Sequence, residues 1–334
     1  MRQKKTLQQR ILAHGLTLPV VLFLLLGSWV LSLVAELSVP FRSSSSWWAE
    51  LPFRLPDDRR LLLGVGLLLY VAIGFLLIPF NNRLALIRSR ASVQTILFFF
   101  GAAFLPFLHP LHYDTFAMLL LQASLLCFLL AYQHPAPMAW VYHAMLFFGL
   151  STCCLPGYLW LLPLYVIGFF LFRLSTLRNL LAAVLGLFFA YLLFGVLLWS
   201  VGQPGLFLVQ WETCLSFLRY TPPEHVAGSF AFLAYQAVLF LIPAGYYWIK
   251  RPQIAVRTST LLHFFLLTEL FLCAGMYLRP DMIGALAPLS LIGSSFVSGH
   301  YFTMVSTKFS NVFFLFTCFS APVVYGLIVW GWQV

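Results

Sequence analysis

Carboxylates are scarce in this 334-residue chain, and four of its nine acids fall between two long apolar runs. The stretch is AELSVPFRSSSSWWAELPFRLPDDRR, which contains Glu36, Glu50, Asp57 and Asp58. Glu36 ends the first apolar run, where hydrocarbon would give way to lipid head groups. A carboxylate that is partly removed from water becomes more basic, which makes Glu36 a candidate general base. The alternative is an acid at a helix end that simply faces water.

The sequence PDDRR opens the second apolar run. Asp57 and Asp58 suit the N-cap and first turn of a helix, where acids interact favourably with the helix dipole. Capping explains one of the two acids. The functional alternative is a metal or phosphate site that they form with Arg59 and Arg60.

A second polar stretch, HPLHYD, precedes another apolar run. Two histidines, His109 and His112, lie within six residues of Asp114, a combination that could bind a metal, although Pro110 and the loop geometry weaken this interpretation. Asp114 is also predicted to cap the helix that follows. An acid in that position beside a cavity could orient a sugar hydroxyl.

Later segments add an arginine pair and one acid inside an apolar run. Arg279 is suited to bidentate phosphate recognition, or it closes a turn with Asp281. Residues 203–229 are predicted to form an amphipathic surface helix followed by a Pro-Pro turn, with Arg219 among the polar residues. Glu269 lies within an apolar run, where an acid is costly and needs a buried partner; His263 is one candidate.

The composition requires a lipid environment. The chain is 62% hydrophobic and only 8% charged, whereas a soluble domain is about a quarter charged. We therefore predict an all-α, polytopic membrane protein that forms one transmembrane domain over residues 1–334, with a first outer loop at 37–60 and an outer amphipathic segment at 202–228. Eleven spans are predicted, at about 16–36, 61–80, 92–108, 115–132, 138–154, 157–172, 179–201, 228–248, 259–277, 282–304 and 311–332. The third, fifth and sixth are short, and the sequence predicts that they are tilted, kinked or partly re-entrant.

Basic residues determine the predicted orientation. With the N-terminus in the cytoplasm, 13 of the 19 lysines and arginines lie on the cytoplasmic side. Every acid except Glu269 then falls on or beside the outer face. Because this distribution accounts for the net charge of +10, nucleic acid is not a predicted partner.

The layout resembles the GT-C class of membrane glycosyltransferases, which take sugars from polyprenyl-phosphate lipids at the outer leaflet. The likeness rests on LVAELSVPF before a long outer loop, on the basic turn NNRLALIRSR, and on FLPFLHPLHYDTFAMLLLQASLLCFLLAYQ. It also rests on GLSTCCLPGYLWLLPLYVIGFFLFR and LRPDMIGALAPLSLIGS. The layout is similar, too, to a group of uncharacterised bacterial membrane proteins.

The resemblance implies an inverting enzyme in the bacterial inner membrane, with Glu36 as general base and Asp114 assisting. It implies that Arg279, then Arg219, stabilise the leaving lipid phosphate, and Arg59 is a further candidate. Asp57, Asp58 and Glu269 are secondary acids. No metal site is predicted, and a requirement for a divalent metal is left open. The chain departs from the class because a lone Glu36 is followed by Leu-Ser and because no large outer C-terminal domain is present.

Two other functions compete with catalysis. The first is a non-catalytic subunit or scaffold of a membrane complex for glycosylation or secretion. The second is a lipid or solute transporter, which ranks last because transport favours ionisable residues near the midplane of several helices, and only Glu269 fits that pattern.

Overall fold

The structure, a computed structural model, describes residues 7–35, 58–87, 92–206 and 226–331. The described chain is helical and contains no strand. Twelve α-helices lie in these ranges: α1 (Leu7–Ala13), α2 (Thr17–Val34), α3 (Arg59–Leu84), α4 (Val93–Ala103), α5 (Tyr113–Ala131), α6 (Pro137–Cys154), α7 (Leu162–Leu171), α8 (Leu177–Ser200), α9 (Val226–Lys250), α10 (Val256–Leu278), α11 (Ile283–Met304) and α12 (Lys308–Gly331).

Within the described ranges, eight helices are long and apolar enough to cross a membrane. They are α2, α3, α5, α8, α9, α10, α11 and α12. The multi-pass membrane architecture predicted from composition is therefore supported. The other three predicted spans coincide with α4, α6 and α7, and the total of eleven stays a prediction.

Prolines explain two of the short segments. A 3-10 turn at Pro106–Leu108 follows α4, and another at Pro156–Leu161 precedes α7. Proline lacks a backbone N–H and cannot continue a regular α-helix at these points. The fifth predicted span behaves differently, because α6 is one continuous helix of 18 residues.

Helix α11 forms the centre of the bundle. Almost every residue from Ile283 to Phe302 is buried, and α4, α9 and α10 pack around this helix. By contrast, α8 exposes a row of large apolar side chains, including Val184, Phe188 and Trp199. Lipid chains solvate such side chains as well as a protein interior does, which explains how both kinds of helix coexist in one protein.

The charges separate between the two ends of the bundle. One end, which we call the acidic end, carries Asp58, Asp114 and Asp281 together with Arg59, Arg60 and Arg279 at helix termini and turns. The opposite, basic end carries the other described basic residues and no described acid: Arg10, Arg83, Arg173, Arg178, Lys250, Arg251, Arg257 and Lys308. Glu269 lies between the two ends, within α10.

The described helices on either side of the first predicted loop meet at the acidic end, since α2 ends there and α3 begins there. Residues 36–57, with Glu36, Glu50 and Asp57, lie outside the described residues, whereas Asp58, Arg59 and Arg60 at the end of the predicted loop are described. Arg219 and most of the predicted amphipathic segment at 202–228 also lie outside the described residues.

Candidate functional site

The acidic end is organised around a buried histidine, His109, which follows the turn after α4. Its imidazole stacks on the indole of Trp29 from α2, with ring centroids 3.8 Å apart. Trp29 Nε1 donates a hydrogen bond to the His109 carbonyl at 3.1 Å, and Ser32 Oγ lies 2.6 Å from His109 Nδ1. Two residues one turn apart on α2 therefore fix both the backbone and the ring of His109.

The start of α3 is joined to the same cluster. Asp58 caps α3 by accepting a hydrogen bond from the Arg60 backbone N–H at 2.9 Å, as predicted for one acid of this pair. Arg59 Nη2 donates to the Ser32 carbonyl at 3.0 Å. Arg59 thus binds the last turn of α2, and that contact accounts for its position without a phosphate.

A close backbone approach connects α3 to the segment after His109. The Leu111 N–H donates to the Leu62 carbonyl at 3.2 Å. A Cβ at Gly66 would collide with the carbonyl oxygen of His109. Only glycine fits at position 66 without displacing this segment, so sequence and packing agree closely at this point.

Asp114 lies in the first turn of α5 and is only 3% exposed. The N-cap of α5 is His112, so the prediction that Asp114 caps this helix is wrong. Thr115 Oγ1 accepts from the His112 backbone N–H at 3.2 Å and completes the helix start. The Asp114 carboxylate is an electrostatic neighbour of His112 and of Tyr158.

Tyr158 extends the cluster to the centre of the bundle. Its hydroxyl donates to the Ala285 carbonyl at 2.9 Å, in the first turn of α11. Arg279 and Asp281 lie immediately before that turn, and their side chains form a bidentate pair at 2.9 and 2.7 Å. Asp114 and Arg279, two of the predicted site residues, therefore belong to the same end of the protein.

Burial keeps both histidines of this end neutral at physiological pH. It lowers the pKa of His109 to about 3, despite a partial offset from the nearby Ala102 backbone. Burial also lowers the pKa of His112, and the Asp114 carboxylate partly opposes that effect. A neutral imidazole donates one hydrogen bond from its N–H and accepts one at its other nitrogen, so these residues act as hydrogen-bonding groups and not as cations.

Glu269 lies in a separate, fully buried cluster on α10. Ser290 Oγ of α11 donates to Glu269 Oε2 at 2.7 Å. Gln236 of α9 donates from Nε2 to Ser290 Oγ at 2.6 Å. The suggested partner His263 is not the one found, since Ser290 binds the acid and His263 lies beside Tyr247 and Trp248. The cluster joins three helices through hydrogen bonds, which satisfies the need for a buried partner.

An apolar cavity of about 390 Å³ lies away from the acidic end. Its walls come from α3, α5, α10 and α11 and are mostly leucine, isoleucine and phenylalanine. Asp114 and Arg279 are not among the lining residues. The sequence predicted a hollow beside the acids, and that hollow stays a prediction; the present cavity is a separate feature that the sequence did not predict.

No group of three or more histidines, cysteines or acids suited to hold a metal occurs within the described ranges. His109, His112 and Asp114 therefore do not form such a group, although Asp114 is an electrostatic neighbour of His112. Glu36, Asp57 and Arg219 lie outside the described residues, and their predicted roles remain predictions.

The sequence did not single out Trp29, Ser32, Tyr70 or Tyr158. Trp29 and His109 are 80 positions apart in the chain, so no local pattern links them. Tyr70 lies near Trp29, with ring centroids 5.7 Å apart. Three of these residues could have been found in the sequence, because Trp29, Ser32 and Tyr70 each stand as a polar or amphipathic side chain within a mainly aliphatic run.

Compared with protein-family models, with curated proteins and with solved structures, the chain matches none of them. The resemblance to GT-C enzymes thus rests on layout alone.

Proposed function

We propose that this protein is a GT-C-like glycosyltransferase that moves a sugar from a polyprenyl-phosphate donor to an acceptor at the outer face of the bacterial inner membrane. The observation that carries the proposal is the gathering of acids and arginines at the end where the first loop begins and ends. Asp114 and Arg279 lie at this end, and both flanks of the Glu36-containing loop meet it.

In the proposed reaction, Glu36 removes the proton from an acceptor hydroxyl. The acceptor oxygen attacks the anomeric carbon, and the bond from that carbon to the lipid phosphate oxygen breaks. The phosphate leaves with the bonding electron pair, and the anomeric configuration is inverted. Asp114 assists by orienting the acceptor, while Arg279, with Arg219 and Arg59 as further candidates, stabilises the negative charge on the leaving phosphate.

The surroundings of these side chains suit such roles. The Asp114 carboxylate is an electrostatic neighbour of His112 and Tyr158, and polar groups that are already arranged in this way need little rearrangement when a hydroxyl binds. Arg279 is partly exposed, with 15% of its side chain accessible. A partly exposed arginine can bind a phosphate oxygen without the full cost of desolvation.

The direct test uses the purified full-length protein and a panel of short-chain polyprenyl-phosphate sugars. Glu36→Gln is expected to lower the transfer rate by about 10²–10⁴, the usual effect of removing a general base. Asp58→Asn is the matched control because asparagine preserves the helix cap, and its rate should stay near that of the parent protein. Equal rates for Glu36→Gln and the parent protein would exclude this role of Glu36.

A non-catalytic membrane subunit is the second candidate, and a specific observation favours it. Each described candidate has a structural contact: Asp58 caps α3, Arg59 binds α2, and Arg279 pairs with Asp281. Stable co-purification with another membrane protein, together with no binding of any donor in the panel, would favour this function over catalysis.

A further inference from the structure

The apolar cavity opens between two helices that contact each other little. Helices α3 and α5 form its sides, and α10 and α11 form its base. Leu76 of α3 lines the cavity and is 62% exposed, so the cavity reaches the lipid-facing surface. A void of about 390 Å³ with such walls would be filled by hydrocarbon in a membrane, because apolar surface does not retain water.

The length of the cavity matches one leaflet of a bilayer. Its lining extends from Leu119 to Leu130 on α5 and from Ile73 to Arg83 on α3. At a rise of about 1.5 Å per residue, these stretches measure about 16 and 15 Å. The hydrocarbon core of a bilayer is about 30 Å thick, so the cavity spans about half of it. This length suits an acyl chain of one leaflet better than a long polyprenyl chain.

Charge marks one end of the cavity. Arg83 is the charged residue among the described lining residues, and it lies at the basic end where α3 finishes. Arg257 lies beside it, with Nη2 3.5 Å from the Arg83 carbonyl oxygen. No acid lines the cavity within the described ranges. An exposed arginine at the mouth of an apolar groove is complementary to a phosphate head group above a hydrocarbon chain.

We propose that this groove binds one acyl chain of an anionic phospholipid from the leaflet at the basic end, with the lipid phosphate at Arg83. The site is distinct from the proposed sugar-transfer site, which lies at the opposite end of the bundle. The inference does not depend on that function.

The test is photolabelling of the full-length protein in nanodiscs with phosphatidylglycerol that carries a diazirine on one acyl chain. Peptide mapping should place the label on residues 73–83 and 119–130. Ala123→Trp, which fills the groove, should abolish most of this labelling. Leu181→Trp adds the same bulk on the lipid-facing side of α8, where Leu181 is 54% exposed, and should leave the labelling unchanged.

Arginine variants test the head-group contact. Arg83→Gln should weaken labelling by phosphatidylglycerol about fivefold, the change that corresponds to about 1 kcal/mol for one basic residue near an anionic surface. It should not change labelling by the matching diacylglycerol analogue, which has the same acyl chains but no phosphate. Arg178→Gln removes a charge at the same end but away from the groove and serves as control. Thermal unfolding of each variant verifies that it is folded.

Three results would overturn the proposal. The first is label spread evenly over the lipid-facing helices, and the second is a full signal in Ala123→Trp. The third is displacement of the probe by unlabelled polyprenyl phosphate but not by unlabelled phosphatidylglycerol, which would identify a polyprenyl lipid as the occupant.

Discussion

Asp114 and Glu269 are both almost completely buried carboxylates, yet their surroundings differ in kind. Glu269 lies deep in the bundle and is joined by hydrogen bonds to α9 and α11 through Gln236 and Ser290. Asp114 lies at a helix start, among histidine and tyrosine side chains, at the end where the first loop attaches. Burial alone therefore does not identify a site, and from the position of each acid relative to the bundle end we predict a packing role for Glu269 and a chemical role for Asp114.

The largest expected difference between Asp114 and Glu269 is in the rate of sugar transfer after each is substituted. Asp114→Asn is expected to lower sugar transfer by about 10²-fold, the effect of misplacing the acceptor hydroxyl by about 1 Å. Glu269→Gln should leave the rate near that of the parent protein. Both variants are compared with the same short-chain polyprenyl-phosphate sugar. A larger loss in Glu269→Gln would reverse the assignment and favour a proton pathway through the bundle.

Stability should respond in the opposite order. Glu269→Ala leaves the Ser290 hydroxyl without its buried acceptor, which should cost about 1–3 kcal/mol of unfolding free energy. Glu269→Gln should cost less, since its amide oxygen can still accept from Ser290. The measurement is thermal or denaturant unfolding in detergent. Equal stability of the alanine variant and the parent protein would contradict the packing role.

Two glycines on α3 test the packing of the acidic end. Gly66→Ala should cost about 1–3 kcal/mol because the new methyl group overpacks the His109 carbonyl. Gly64→Ala is the matched control, since nothing lies within 4 Å of its Cβ. The control should be neutral or slightly stabilising, because alanine favours helices more than glycine does. Equal stability of the two variants would show that the His109 segment does not pack closely against Gly66.

The free energy of unfolding should also decrease at low pH, because His109 is buried in its neutral form at the acidic end. The pKa of His109 is about 3 when folded, below its ordinary value of 6.5. Below pH 6.5 the unfolded chain therefore binds a proton that the folded protein does not. Stability should fall as the pH falls from 6.5 towards 3, by about 1.4 kcal/mol per pH unit for this residue.

His109→Gln should remove this part of the pH dependence, and His134→Gln, an exposed control, should retain it. Unfolding midpoints at pH 7 and pH 5 provide the measurement. The His112 imidazole, next to Asp114, adds a dependence of the same sign, which both variants keep. A parent protein of equal stability at the two pH values would show that His109 is not buried in its neutral form.

Local signals in the sequence predicted part of this organisation. The polytopic helical architecture follows from long apolar runs, and Asp58 follows from the preference of helix starts for acids. The broken segments at Pro106 and Pro156 follow from the missing N–H of proline. Each of these features depends on neighbours close in the chain, which is why the sequence alone could identify it.

Features that join distant segments were missed. Glu269 was predicted to need a partner, but Ser290 and Gln236 lie on other helices, 21 and 33 positions away in the chain. The N-cap of α5 is His112, and the Thr115 hydroxyl, not the neighbouring Asp114 carboxylate, accepts a hydrogen bond from its backbone N–H. The cavity escaped detection because leucines that line a groove look the same in sequence as leucines that face lipid.

The most direct test of the central claim places the first loop relative to the membrane. A single cysteine at position 44 (Ser44→Cys), in a chain whose native cysteines are replaced, is treated with an impermeant maleimide on spheroplasts. A second protein carries Arg178→Cys at the basic end. We predict that position 44 is labelled without permeabilisation and position 178 only after it. Labelling of position 178 on intact spheroplasts, with position 44 protected, would contradict an outward acidic end and the sugar transfer proposed there.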